Sequence, residues 1–167
     1  MRRLIFTHYC RHSARQQGAA IVEFALVLLL LITLMAGIFE FGRAFWYYDA
    51  LTKATRDGAR LMAVAPKANL TTAVTGGVAK AKTQVADAVT AAGVPSFTTA
   101  NVTVTCLNAT FDDSTCVNGT APGGVRVEIT GYTMTIGQFI PFLVGASSNY
   151  SASLAPHTTM RYMPELF

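Results

Sequence analysis

Sixteen consecutive residues, Phe24 to Phe39 (FALVLLLLITLMAGIF), carry a single polar side chain, Thr33. A helix that is apolar on every face has no aqueous side to present, so in a chain of 167 residues this run predicts a membrane span and argues against a core helix. With Ala19 to Val22 on the other side of Glu23 the segment reaches about 20 residues, the length of one helical crossing of the hydrocarbon layer. Charge sets the orientation. Arg2, Arg3, Arg11 and Arg15 all precede the first acid, Glu23, and the other nine of the 13 Lys and Arg residues balance the 9 Asp and Glu. Short basic flanks stay in the cytoplasm, which predicts a cytoplasmic N-terminus and a C-terminal domain on the far side of the membrane. The net charge of +4 therefore belongs to the leader, and no nucleic-acid partner is expected.

A cleaved secretory signal peptide shares the basic start and apolar core but needs small residues at a site after the core, and Leu34-Met35-Ala36 is a poor one. A plain uncleaved signal anchor remains, and Glu23 discriminates against it. A carboxylate within a span is costly, so an intramembrane acid is a functional feature by default, and something should compensate it.

Just before the span the chain reads Arg15-Gln16-Gln17-Gly18-Ala19-Ala20-Ile21-Val22-Glu23-Phe24. This looks like a type IV prepilin processing site, with a basic leader ending in Gly and a Glu at the fifth position after the cut. The stretch from Gly18 to Arg60, with its GAAIVEFALVLLLL opening and its Ala54-Thr55-Arg56-Asp57-Gly58-Ala59-Arg60 ending, is similar to the TadE-like family of pseudopilins of the tight-adherence (Flp) pilus system. The resemblance implies cleavage between Gly18 and Ala19 by a prepilin peptidase in the bacterial inner membrane, and methylation of the new amine is a further option. It implies assembly residues Glu23 and Phe24, a family motif at Ala54, Arg56, Asp57, Gly58, Ala59 and Arg60, and a periplasmic C-terminal domain. The partners it implies are the peptidase, other pilin-like subunits, the inner-membrane assembly platform and the lipid bilayer. The leader of 18 residues and Ala19 in place of an aromatic depart from the general pilin pattern.

The residues support a physical reading of their own. Cleavage after Gly18 creates an α-amine at Ala19, and Glu23 lies four residues on, on the same helix face. Cation and carboxylate then neutralise each other, within one subunit or between neighbours, which removes much of the cost of the acid in lipid. One such pair also selects one axial offset where apolar packing alone allows many. Gly18, without a side chain, fits a narrow cleavage pocket and permits extended backbone.

No breaker other than Gly occurs before Pro66, which predicts one helix over 19–65. Ala44, Tyr47, Leu51, Ala54, Gly58, Leu61 and Ala65 form its expected apolar stripe, with Asp49, Lys53, Arg56, Asp57 and Arg60 opposite. Phe41, Phe45, Trp46, Tyr47 and Tyr48 suit the outer membrane–water boundary. Residues 66–77 read as a linker, and Val78 to Ala92 as a short second helix stopped by Gly93 and Pro95. Alternation then predicts strands through Val102–Cys106 and Val125–Ile129, a bulge at Gly131 before Tyr132, Met134 and Ile136, and a last strand from Tyr150 to Tyr162 in which Pro156 favours an edge or an irregularity. The expected fold is α+β and pilin-like: a leader over 1–18, a long transmembrane helix packed on a small antiparallel sheet, a short second helix, and a domain over 78–167. Phe139, Ile140, Phe142 and Leu143 belong under the sheet or in a patch for a neighbouring subunit.

Cys10 lies in the leader. Cys106 and Cys116 flank a polar loop and are expected to form a disulfide in an oxidising compartment. A metal site is a poor rival, since His157 is the only histidine after the leader, His8 and His12 lying within it. Asp112 and Asp113 suit a turn better than calcium. No phosphate loop, HExxH or Gly-x-Ser-x-Gly motif occurs, so neither an enzyme nor a cofactor is expected. The rival to a pilus subunit is an uncleaved, membrane-anchored periplasmic binding module that uses residues 66–167.

Overall fold

The structure, a computed structural model, describes residues 13–137 and 150–163, with side chains from Gly18 onward. The leader residues Arg2, Arg3, His8, Cys10, Arg11 and His12, the side chain of Arg15, and the patch Phe139, Ile140, Phe142 and Leu143 lie outside the described residues. The chain divides into two units after Phe39.

Helix α1, Ser13–Ala63, provides the described part of the first unit and the start of the second. In the first unit no large apolar side chain from Ile21 to Phe39 is covered, the least exposed being Leu28 at 42%. The polar side chain between Phe24 and Phe39 is satisfied locally: the Thr33 hydroxyl donates to the Leu29 carbonyl at 2.8 Å, one turn back.

In the second unit, α2 (Gly77–Ala91) comes after a 3-10 turn at Lys67–Asn69. Four strands, β1 (Val102–Leu107), β2 (Asp113–Ser114), β3 (Gly124–Ile129) and β6 (His157–Arg161), form an antiparallel sheet in the order β2-β1-β3-β6. The register sets apolar against apolar, with Val102 opposite Ile129, Val104 opposite Val127 and Cys106 opposite Val125. The period-2 pattern thus gives the sheet one buried face. That face and α2 together enclose the second part of α1: Leu51, Ala54 and Ala59 pack with Val85 and Val89 of α2 and with Val127 of β3. The fold is α+β, with a long N-terminal apolar helix, a second helix and a small antiparallel sheet.

Three details depart from the sequence pattern. The buried stripe of α1 is wider and rotated, with Thr55, Ala59 and Met62 fully buried and Ala44, Tyr47 and Leu61 only half-covered. A helix facing both a helix and a sheet must bury two adjacent rows, whereas the three- and four-residue steps trace only one. The phase change at Gly131 is a turn, with φ at +68°, and no bulge within one strand. Beyond it β4 (Thr133–Ile136) leaves the main sheet and pairs with β5 (Tyr150–Ser153) in a separate two-stranded sheet. The expected last strand is accordingly two: β5, then β6 on the edge of the main sheet, separated at Leu154–Pro156. A proline has no N–H to give a ladder, and the Pro156 carbonyl instead accepts from the Ile129 N–H at 3.0 Å.

The residues just after β6 hold the end of α1. The Tyr162 hydroxyl donates to the Ala65 carbonyl at 2.6 Å, and the Met163 N–H donates to the Ala63 carbonyl at 2.9 Å, so the last carbonyl of the helix and one just beyond it find donors.

Candidate functional site on the long helix

The residues singled out by the sequence fall into two groups on α1. Gly18, Ala19, Glu23 and Phe24 are all exposed. The helix begins at Ser13 and passes through Gly18, so the Gly18–Ala19 bond lies in helical backbone, with Glu23 one turn beyond Ala19. A Cβ at Gly18 would meet nothing within 4 Å. No packing demand among the described residues explains a glycine here, and in a helix it is costly relative to alanine by about 1 kcal/mol. That deficit makes local unwinding easier at this bond. Glu23 makes no hydrogen bond or ion pair among the described residues. Its carboxylate thus has no cation partner among the described residues.

The second group, Ala54 to Arg60, is split by the helix into two faces. Ala54, Thr55, Gly58 and Ala59 point inward, and Arg56, Asp57 and Arg60 are exposed. Gly58 is required by close approach: a Cβ there would stand 2.5 Å from Cγ2 of Val85 on α2 and 3.5 Å from Cγ1 of Val127 on β3. Thr55, fully buried, is the polar element of that packing. Its hydroxyl lies 2.9 Å from the Thr52 carbonyl, to which it donates, and 3.0 Å from the Thr158 hydroxyl on β6. In the sequence Thr55 is only one letter of the motif string, because a threonine in a helix carries no sign of its partner. On the outer face Asp49 and Lys53 pair at 2.6 Å, both well exposed.

A second feature that sequence reasoning missed lies between these groups. Glu40 is 5% exposed and accepts from Arg43 Nη2 at 2.6 Å. The same Nη2 donates to the Thr135 carbonyl at 2.8 Å, tying the helix to β4. The three-residue spacing of an acid and an arginine just past the apolar run was the available signal. Nearby, burial pushes the Tyr132 hydroxyl above its ordinary value of 10.0, Tyr47 adds to the rise, and Arg43 opposes it. Of the aromatic cluster, Phe41, Phe45, Trp46 and Tyr48 are exposed while Tyr47 packs on the core, and the Trp46 indole donates to the Ala92 carbonyl at 3.1 Å.

Away from α1, Cys106 and Cys116 are at disulfide distance. Asp112 accepts from the Thr110 hydroxyl at 2.6 Å and the Asn108 amide at 3.4 Å, which hold its carboxyl below its ordinary value of 3.8. Asp113 pairs with Arg126 at 2.8 Å. Both acids therefore have protein partners. Among the described residues no group of three or more His, Cys, Asp or Glu side chains converges, and His157 is exposed on β6.

No curated protein and no solved structure matches the chain. The family model described as TadE-like protein matches residues 18–60, which begin at Gly18 and close on Arg60, so both groups of site residues fall within the match. That match and the long apolar helix fit a pilin-like component of a tight-adherence system, a structural and not an enzymatic class. Over residues 18–60 the chain carries a TadE-like segment.

Proposed function

We propose that the chain is a minor pseudopilin of a tight-adherence type IV pilus. It is made as an inner-membrane precursor with its C-terminal domain in the periplasm, cut between Gly18 and Ala19 by a prepilin peptidase, and then held by its apolar helix in the bilayer or among other pilin-like subunits at the assembly platform. The observation that carries this reading is the exposure of every large apolar side chain from Ile21 to Phe39, within a segment that matches TadE-like proteins. Such a surface needs lipid or neighbouring apolar helices around it. The exposed aromatic residues Phe41, Phe45, Trp46 and Tyr48 suit the outer interface of that membrane.

Glu23 has the role of register. In the precursor its carboxylate has no partner among the described residues, and cleavage supplies one in the α-amine of Ala19. Gly18 serves the cut itself, because the peptidase must draw a helical bond into extended form and glycine offers the least resistance.

The test is coexpression of the full chain with an active and with an inactivated prepilin peptidase, with N-terminal sequencing of the product. The mature product should begin at Ala19 only with the active enzyme. Retention of Met1 in both would leave a tethered periplasmic binding module. Glu23→Ala should be cut at the normal rate yet fail to support pilus assembly, and normal piliation by that variant would remove the register role.

A further inference from the structure

The segment that leaves α1 is not held by its own composition. Residues 66–77 read as a linker, yet Leu70 is fully buried and packs with Met62, Ala81 and Val125. Its backbone is fastened from elsewhere. The N–H groups of Leu70 and Thr71 both donate to Oδ1 of Asn118 at 2.8 Å, and the Gly119 N–H donates back to the Lys67 carbonyl at 2.7 Å. Asn118 and Gly119 belong to an irregular stretch between Ser114, the end of β2, and Gly124, the start of β3. That stretch is attached to the sheet at one end by the Gly123 N–H, which donates to the Leu107 carbonyl at 2.8 Å. At the other end it leaves Ser114, which pairs with Cys106 of β1 and donates its hydroxyl to the Cys106 carbonyl at 3.2 Å, and beyond that strand the attachment nearest Asn118 is Cys116, two residues before it and bonded to Cys106. Cys106 is buried at 1% exposure, whereas Cys116 is half-buried on the wall of an open cleft of about 440 Å³.

We propose that the Cys106–Cys116 disulfide is a redox latch on the exit of the long helix: when oxidised it holds Asn118 and Gly119 against residues 67–71, and when reduced it releases them while the rest of the domain stays folded. A dithiol reductant entering the cleft, which both cysteines line, attacks the sulfur of Cys116, the less buried of the two residues. This forms a mixed disulfide and releases Cys106 as thiolate, and the reductant's second thiol then displaces Cys116, leaving two cysteine thiols and an oxidised reductant. Cys106 is a rung of the β1–β3 ladder opposite Val125 and shares a cluster with Ala81 of α2, but the remaining rungs from Val102 to Thr105 and the packing of Val85 and Val89 on Val127 involve neither cysteine, so the loss is local. The latch does not depend on the pilus assignment, because it concerns only the folded domain.

The test is amide hydrogen exchange on the full chain in detergent, with and without a dithiol reductant. Reduction should speed exchange at Leu70, Thr71 and Gly119 by about tenfold or more and leave Val85, Val89 and Val127 unchanged. Asn118→Ala, with the disulfide intact, should reproduce the change at Leu70 and Thr71. The Cys106→Ala/Cys116→Ala double variant should show the fast local exchange at all times, with no response to reductant. Unchanged exchange at Leu70 and Thr71 on reduction, or after Asn118→Ala, overturns the latch. So does an equal rise across α2 and β3, which would make the bond a general brace of the domain.

Discussion

Gly18 and Gly58 lie on one helix and are under opposite constraints. Around Gly18 a Cβ would meet open space, whereas at Gly58 it would lie 2.5 Å from Val85. The same contrast runs through the two parts of α1. From Ile21 to Phe39 the side chains are large, apolar and uncovered, while in the second unit the inward face is built of Ala54, Thr55, Gly58 and Ala59. Large residues suit surroundings of lipid or neighbouring helices that adapt to them. Small ones are needed where a helix and a sheet of the same domain approach within van der Waals distance. The stretch from Ala54 to Arg60 therefore owes its small residues to packing, whereas no described residue gives Gly18 a packing reason to be glycine, which is compatible with the proposed processing there.

The strongest way to break this contrast is to place the same side chain at both glycines. Gly58→Val should destabilise the C-terminal domain by about 3 kcal/mol, because α2 and β3 must both yield to the new methyl groups. Gly18→Val should leave thermal unfolding of the domain unchanged and abolish the cut. The measurements are thermal unfolding of the detergent-solubilised chain and N-terminal sequencing after coexpression with the peptidase. If Gly58→Val were neutral, the packing account of the motif would fail. Unimpaired processing of Gly18→Val would end the processing account of the other glycine.

A smaller effect is expected where the motif contributes a polar group. Thr55→Val keeps the shape but leaves the Thr158 hydroxyl without that partner, at a cost of about 1–2 kcal/mol. The Thr55→Val/Thr158→Val double variant should recover part of the loss, since neither hydroxyl is then left unmatched. Chemical denaturation of the four proteins in a mutant cycle gives the coupling. Strict additivity would mean that the 3.0 Å contact contributes nothing specific.

The two regions were also unequally legible in the sequence. The apolar run declares itself because its surroundings impose no periodicity, so only length and the absence of polar groups matter. The Gly18–Glu23 spacing was readable for the same reason, being local to one turn. In the domain, each strand of the main sheet that alternates cleanly was visible, as with Val102 to Cys106 and Val125 to Ile129. What failed depends on neighbours far along the chain. The two-row stripe needs knowledge that α1 meets both Val85 and Val127. The turn at Gly131 and a bulge there produce the same shift of alternation, and only the pairing of β4 with β5 separates them. Thr55 with Thr158, and Asn118 with Leu70, join residues 103 and 48 positions apart, which no spacing rule reaches.

The least effect is expected at the exposed loop between β1 and β2, and it tests the contrast from the polar side. Asp112 is held below its ordinary value of 3.8, first by the Thr110 hydroxyl and then by the Asn108 amide. A carboxylate with a depressed folded-state value stabilises the fold above its unfolded value, and that contribution disappears as pH falls through the folded one. The window is therefore acidic and lies below 3.8. Because the side chain is solvated, screening keeps the effect small. Asp112→Asn removes the titration and keeps the shape. The stability difference between wild type and this variant should be constant near neutral pH and shrink as pH falls below that value. A difference that persists unchanged into that acidic range would show that the loop's hydrogen bonds do not discriminate between the charged and neutral carboxyl.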